Sequence, residues 1–135
     1  MFSSRVMLEK FRDHEITHAE LQQYLQGDLS DVIAYPVVVK SENIIDLLQS
    51  YLNGSASEQT ILDWVNTIWF KDYYDYYDPQ SNSMASVMTE LEMIDEDGHE
   101  LTPEQARIYV DCLQRNKDLH IDILGYAAPT CTSKK

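Results

Sequence analysis

Residues 47–65 have the sequence LLQSYLNGSASEQTILDWV, and this stretch decides the fold. Its apolar residues recur at helical spacing on both sides of Asn53 and Gly54. Gly54 can adopt the left-handed conformation that ends a helix. The Ser57 hydroxyl can then accept a hydrogen bond from a backbone N–H at the start of the next helix. The stretch therefore predicts two helices joined by a tight turn.

Two other junctions have the same chemistry. Thr17 and Glu20 have the spacing of a capping box, and Thr102 precedes Pro103, whose missing N–H costs nothing at a first helical position. We predict an all-α, single-domain bundle of about six helices arranged as helical hairpins. The domain covers residues 1–120, and residues 121–135 form a partly disordered tail. Four helices are placed at 4–12, 18–26, 58–70 and from 103 to about 116. A further helix is capped by residues 41–43 and has apolar positions as far as Leu52, and another is capped by Ser83 and extends through Ile94.

Residues 29–40 break the helical pattern. Val32, Ile33 and the run of three valines at 37–39 are β-branched, and Pro36 cannot donate to a central strand ladder. No second segment resembles a strand that could pair with this one. We therefore predict an extended, buried connector at 29–40.

The charge limits the possible partners. Twenty-three acidic side chains against ten basic ones give a net charge of −13 and a pI near 4.4. Such a surface repels nucleic acid and anionic lipid, and it attracts a basic protein. Solubility alone is the alternative explanation of the same charge.

The sequence contains no apolar run of the ~18–20 residues that span a bilayer. Its N-terminus returns to charged residues too early for a signal peptide, so we expect a cytoplasmic protein. Cys112 lies among apolar residues of a predicted helix and is expected in the core, whereas Cys131 lies in the polar tail. Neither position demands an oxidising compartment.

Residues 14–18, HEITH, match the H-E-x-x-H pattern of zinc proteases. That chemistry needs His14 and His18 one turn apart on a continuous helix, with Glu15 as the base. A capping box at Thr17 would instead end one helix and begin another between the two histidines.

Residues 95–100, DEDGHE, resemble a calcium-binding loop, but Met93 would occupy its first ligand position. We expect no metal and no cofactor.

Four tyrosines are interleaved with three aspartates near the end of residues 69–78, a stretch that we call the tyrosine segment. Tyrosine supplies large contact areas in protein interfaces, and aspartate can pair with Lys or Arg of a partner. In the alternative interpretation, the tyrosines complete the core and the aspartates are merely solvated. The predicted partner-binding residues are Trp69, Asp72, Tyr73, Tyr74, Asp75, Tyr76, Tyr77 and Asp78.

The run from Tyr51-Leu52-Asn53-Gly54 through Ala56-Ser57 to Leu62-Asp63-Trp64-Val65 resembles helical immunity proteins of bacterial toxin systems. These include the colicin D immunity type and the partners of contact-dependent growth-inhibition toxins. The resemblance implies a cytoplasmic protein without catalytic activity that blocks a basic nuclease by covering its active site. The stretch from Leu8 to Leu25 is also similar to the opening helices of that group. The resemblance covers about a third of the chain and carries over no individual site residue.

The sequence is therefore compatible with three functions. The first is an acidic binding protein that neutralises a cationic toxin, an RNase or tRNase. The second is a small zinc metallohydrolase that uses His14, Glu15 and His18. The third is a nucleic-acid-mimicking inhibitor of a DNA- or RNA-binding protein.

Overall fold

The computed structural model describes residues 4–25, 29–70, 72–117, 119–120 and 130–131. The fold is mostly α-helical, as the sequence predicts. Its helices are α1 (Ser4–Arg12), α2 (His18–Tyr24), α3 (Ser30–Ala34), α4 (Ser41–Leu52), α5 (Glu58–Phe70), α6 (Ser81–Leu91) and α7 (Pro103–Gln114). The short strands are β1 (Val37–Val39), β2 (Tyr74–Tyr76), β3 (Leu119–His120) and β4 (Thr130–Cys131), and Asp78–Gln80 forms a 3-10 turn.

The junctions between helices form as their sequences predict. Gly54 has a φ of 89° after α4, and the Ser57 hydroxyl accepts the Thr60 N–H at 3.1 Å. At the start of α2, the Glu20 N–H donates to the Thr17 hydroxyl at 3.1 Å, and the Thr17 N–H donates to the Glu20 carboxylate at 2.9 Å. These local hydrogen bonds confirm the predicted capping box.

The core is built mainly from α4, α5, α6 and α7, and buried residues of α1, α2, β1 and β2 join it. The most extensive helix contact joins α4 to α7, and α6 packs against both α5 and α7. Each of these helices buries an apolar stripe, because apolar residues three and four positions apart share one helix face. Fully buried members of the stripes include Leu48, Ile61, Met88, Leu91 and Leu113.

The prediction for residues 29–40 is wrong in two respects. The segment contains α3 and β1 rather than a continuous extended connector, and β1 pairs in parallel with β2. The strand partner was missed because it lies inside the tyrosine segment, beyond α4 and α5. A parallel pair needs such a long crossover, so no hairpin turn marks it in the sequence.

Strands β3 and β4 form a small antiparallel pair. The predicted tail at 121–135 otherwise lies outside the described residues. Cys112 is fully buried, as expected, and it also takes part in a disulfide, which we did not predict from the sequence. None of the helices in the described part of the chain combines the length and apolar composition needed to cross a bilayer.

Candidate functional site

The tyrosine segment runs from the end of α5 through β2 into the 3-10 turn, and its strand part alternates between two faces. Tyr74 points into the core with 7% of its surface exposed, Asp75 is exposed and Tyr76 is half-buried. The Tyr74 hydroxyl donates to the Leu8 carbonyl of α1 at 2.7 Å, and burial raises the pKa of this hydroxyl. Tyr74 therefore holds β2 against α1 and is not available to a partner.

Three other aromatic residues of the segment are only partly accessible. Trp69 and Tyr76 contact each other with ring centroids 5.6 Å apart, and both pack against the core, as does Tyr73. The Tyr76 hydroxyl is buried without a hydrogen-bond partner in the described part of the chain, and burial raises its pKa. These side chains can offer a partner ring edges at most.

Asp72, Asp75, Tyr77 and Asp78 are the exposed members of the predicted set. Tyr77 follows β2 directly, and 41% of its surface is exposed. Its backbone N–H donates to the Val39 carbonyl at 2.9 Å, which fixes the position of the residue. The Lys40 ammonium lies 5.5 Å from the centroid of the Tyr77 ring. Half of the predicted binding residues are thus presented to solvent.

The structure adds exposed apolar residues that the sequence analysis assigned to a buried connector. Tyr35 is 72% exposed, Ile33 51% and Val38 42%. Val38 is the register partner of Asp75, so their side chains share one face of the two-stranded sheet. Strand alternation was the only available signal, and by itself it cannot tell which face is solvated. We call Tyr35, Val38, Asp75, Tyr77 and Asp78 the exposed strip.

Two arginines of α1 hold the outer edge of β1 and the residues before it. The Arg12 guanidinium donates to the Val38 carbonyl at 3.0 Å, and Arg5 donates to the Tyr35 carbonyl. Arg12 also pairs with Asp13 at 2.8 Å, and this hydrogen bond raises the pKa of the guanidinium. The contacts use carbonyls that an incoming strand would need. A partner at this place is therefore expected to contact side chains rather than extend the sheet.

The histidines of the H-E-x-x-H pattern do not lie on one helix. Helix α1 ends at Arg12, His14 has a φ of 65°, and α2 begins only after Thr17. The His14 Nε2–H donates to the Asn43 carbonyl at 2.7 Å. Burial lowers the pKa of His14, against smaller opposing contributions from that hydrogen bond and from nearby carboxylates. The helical arrangement required by a zinc protease is not formed.

His14, Glu15 and His18 nevertheless line one cleft, of about 260 Å³, between the α1–α2 loop, α4 and α5. The described residues contain no group of three or more His, Cys, Asp or Glu side chains arranged to hold a metal ion.

In the acidic loop at 95–100, Gly98 has a φ of 85°, and its N–H donates to the Glu100 carboxylate at 3.3 Å. That loop is therefore closed by its own hydrogen bonding.

No protein-family model matches the chain, and neither a curated protein nor a solved structure matches it. The similarity to immunity proteins stays a prediction that depends on the helical junction around Gly54 and Ser57.

Proposed function

We propose that this chain is an acidic, non-catalytic binding protein that neutralises a cationic nuclease toxin by covering the active site of the toxin. The proposed partner is an RNase or tRNase, and the protein would act as an immunity protein in the cytoplasm. The observation that carries the proposal is the exposed strip, where large apolar side chains stand beside carboxylates on a fixed backbone.

The apolar part of the strip would supply the binding energy. Tyr35 and Tyr77 are large, and both are held through backbone hydrogen bonds. Aromatic side chains are the most frequent energetic centres of protein interfaces. Ordering a tyrosine restricts only two side-chain torsions, so its entropic cost is small. Val38 adds apolar area on the same face as Asp75.

The carboxylates of the strip would imitate substrate phosphates. Asp75 and Asp78 are exposed, and so is Asp72, which lies just before β2. A nuclease binds its substrate backbone with Lys and Arg, and the same groups form strong hydrogen bonds with carboxylates. Besides Arg5 and Arg12, which donate to backbone carbonyls of the strip, Lys40 places a cation against it, beside the Tyr77 ring. It would favour partners whose own acidic residues flank the basic site.

The sharpest test uses a toxin domain of the RNase or tRNase type, sought first in the reading frames next to this chain's gene. Purified chain should suppress tRNA cleavage by that domain and bind it, and Tyr35→Ala and Tyr77→Ala should each weaken binding by about 2 kcal/mol, roughly 30-fold. Tyr24→Ala is the matched control, because Tyr24 is 50% exposed but lies on α2 and is not a member of the strip. Equal affinity of all three variants would reject the strip, and unaffected tRNA cleavage would reject the proposed function.

The charge distribution also favours the nucleic-acid-mimicking inhibitor as a second candidate. Residues 41–106 contain fourteen acidic side chains and a single basic one, Lys71. A mimic of this kind would bind a DNA- or RNA-binding protein through its charge, so its binding would compete with oligonucleotide. It would also be insensitive to Tyr77→Ala, whereas an immunity protein would lose affinity.

The zinc metallohydrolase is not favoured by the geometry at His14 and His18. Its test is metal analysis of the purified chain and of His14→Ala, in which stoichiometric zinc lost on substitution would support an enzyme.

The cytoplasmic location is tested separately at Cys112. Disulfides are more typical of oxidising compartments, so a cytoplasmic chain should be found with Cys112 reduced when cells are quenched with an alkylating agent.

A further inference from the structure

The cleft between the α1–α2 loop, α4 and α5 lies outside the exposed strip and combines an apolar floor with acidic walls. We propose that this cleft binds an alkylguanidinium or alkylammonium group, a cation carried on a short hydrocarbon chain. The site is separate from the surface assigned to toxin binding, and neither proposal depends on the other.

The size and floor of the cleft suit a ligand as large as one long side chain. Its volume of about 260 Å³ is below the ~300–1,000 Å³ typical of sites for drug-sized molecules. Phe11, Leu47 and Trp64 form the floor, and each is at least 97% buried. Methylene groups laid against this floor would be removed from water, which is favourable. The floor side chains are already packed, so they would lose little freedom on binding.

The walls of the cleft carry acidic groups and no strong cation. Glu15, Glu20 and Asp63 line it, while the described lining includes neither Lys nor Arg. Glu15 is partly neutralised by Lys10 at 3.6 Å. Glu20 and Asp63 take part in no salt bridge within the described residues. The charge of the cleft therefore favours a cationic ligand.

Both carboxylates keep an oxygen available for that ligand. Glu20 Oε1 accepts the Thr17 N–H at 2.9 Å, and Asp63 Oδ1 accepts the Gln59 amide at 2.9 Å. The second oxygen of each has no hydrogen bond in the described part of the chain. The existing bonds orient the two groups before binding, so less freedom is lost when a cation arrives.

The remaining walls are fixed by buried contacts. The Trp64 indole N–H donates to the Phe11 carbonyl at 3.2 Å, and the ring centroids of His14 and Trp64 lie 5.3 Å apart. His14 donates its Nε2–H to the Asn43 carbonyl, and burial lowers its pKa. A neutral imidazole does not repel an incoming cation, and it leaves an aromatic face beside it.

Nuclear magnetic resonance of the ¹⁵N-labelled full chain tests the proposal with matched probes. Butylguanidinium should shift the Trp64 indole resonance and saturate with a dissociation constant on the order of 1 mM or tighter. Butylurea, its neutral counterpart of the same shape, should leave that resonance unchanged. The Trp69 indole is an internal control because Trp69 does not line the cleft. A response of Trp64 to both probes, or to neither, would overturn the proposal.

Variants identify the groups that hold the cation. Asp63→Asn and Glu20→Gln should each weaken butylguanidinium binding about fivefold, while Asp97→Asn, which removes an equal charge from the exposed 95–100 loop, should not. An equal loss in all three variants would mean nonspecific attraction and would reject the site.

The peptide acetyl-Gly-Arg-Gly-amide then distinguishes two sources of the cation, an arginine of a partner protein and a free small molecule. Binding of the peptide assigns the cleft to an arginine of a partner protein, and binding of butylguanidinium alone assigns it to a free small molecule.

Discussion

His14 is a half-buried imidazole whose surroundings favour the uncharged form. It lies against Trp64 and donates to Asn43, and burial lowers its pKa although Asp46 and Asp13 act in the opposite direction. The unfolded chain, with a histidine pKa near 6.5, binds the proton more readily than the folded chain. The contribution of His14 to the free energy of unfolding is therefore fully present above about pH 6.5, and it is lost as the pH falls through the lower folded pKa.

We expect the pH dependence of stability to weaken in His14→Asn. Asparagine tolerates the left-handed backbone at this position and does not titrate, so the variant should lose less stability than the wild type between pH 7.5 and 5.5. One pH unit of difference between the folded and unfolded pKa corresponds to about 1.4 kcal/mol. Urea unfolding at the two pH values measures the effect. An undiminished loss of stability between the two pH values in His14→Asn would contradict the assignment.

At the scale of elements, the helices followed from the sequence because their signals are local. Ser57, Thr17 and Thr102 cap within three residues of themselves, and the buried stripes repeat within one helix. The pairing of β1 with β2 was missed because its two halves are separated by α4 and α5. Composition singled out the tyrosine segment but could not separate buried Tyr74 from exposed Tyr77. That separation depends on which face of β2 meets α1.

Strand β1 tests whether one face of the two-stranded sheet is buried and the other is exposed. Val39 is fully buried and Val38 is 42% exposed, so the same substitution should have different effects at the two positions. Val39→Ala should lower the free energy of unfolding by about 1.5–2.5 kcal/mol, because it leaves a cavity in the core. Val38→Ala should change it by less than about 0.5 kcal/mol.

Denaturant titration of both variants measures these changes, with the slope of the transition as a check that the native state stays compact. Under the proposed function, Val38→Ala should also weaken binding of the toxin domain, whereas Val39→Ala should affect binding only through stability. Equal destabilisation by the two substitutions would mean that β1 is buried on both faces, which would remove the exposed strip.

The whole molecule carries its charge unevenly along the chain. Residues 13–39 contain no Lys or Arg, and residues 41–106 contain a single basic side chain, Lys71. The basic residues are concentrated in α1 and from residue 107 onward. A negative field over most of the chain would accelerate the approach of a cationic partner. Contacts at the exposed strip would instead determine how long the complex lasts.

Under the proposed function, we therefore expect the association and dissociation rate constants of toxin binding to respond to different changes. The association rate constant should fall at least about tenfold between low salt and about 1 M salt, where the Debye length is only about 3 Å, while the dissociation rate constant changes little. Tyr77→Ala should raise the dissociation rate constant and leave the association rate constant nearly unchanged, because the substitution removes contact area but no charge. Stopped-flow or surface-based kinetics across a salt series measures both constants. An association rate constant that does not depend on salt would eliminate electrostatic steering, and the acidic composition would then be explained by solubility alone.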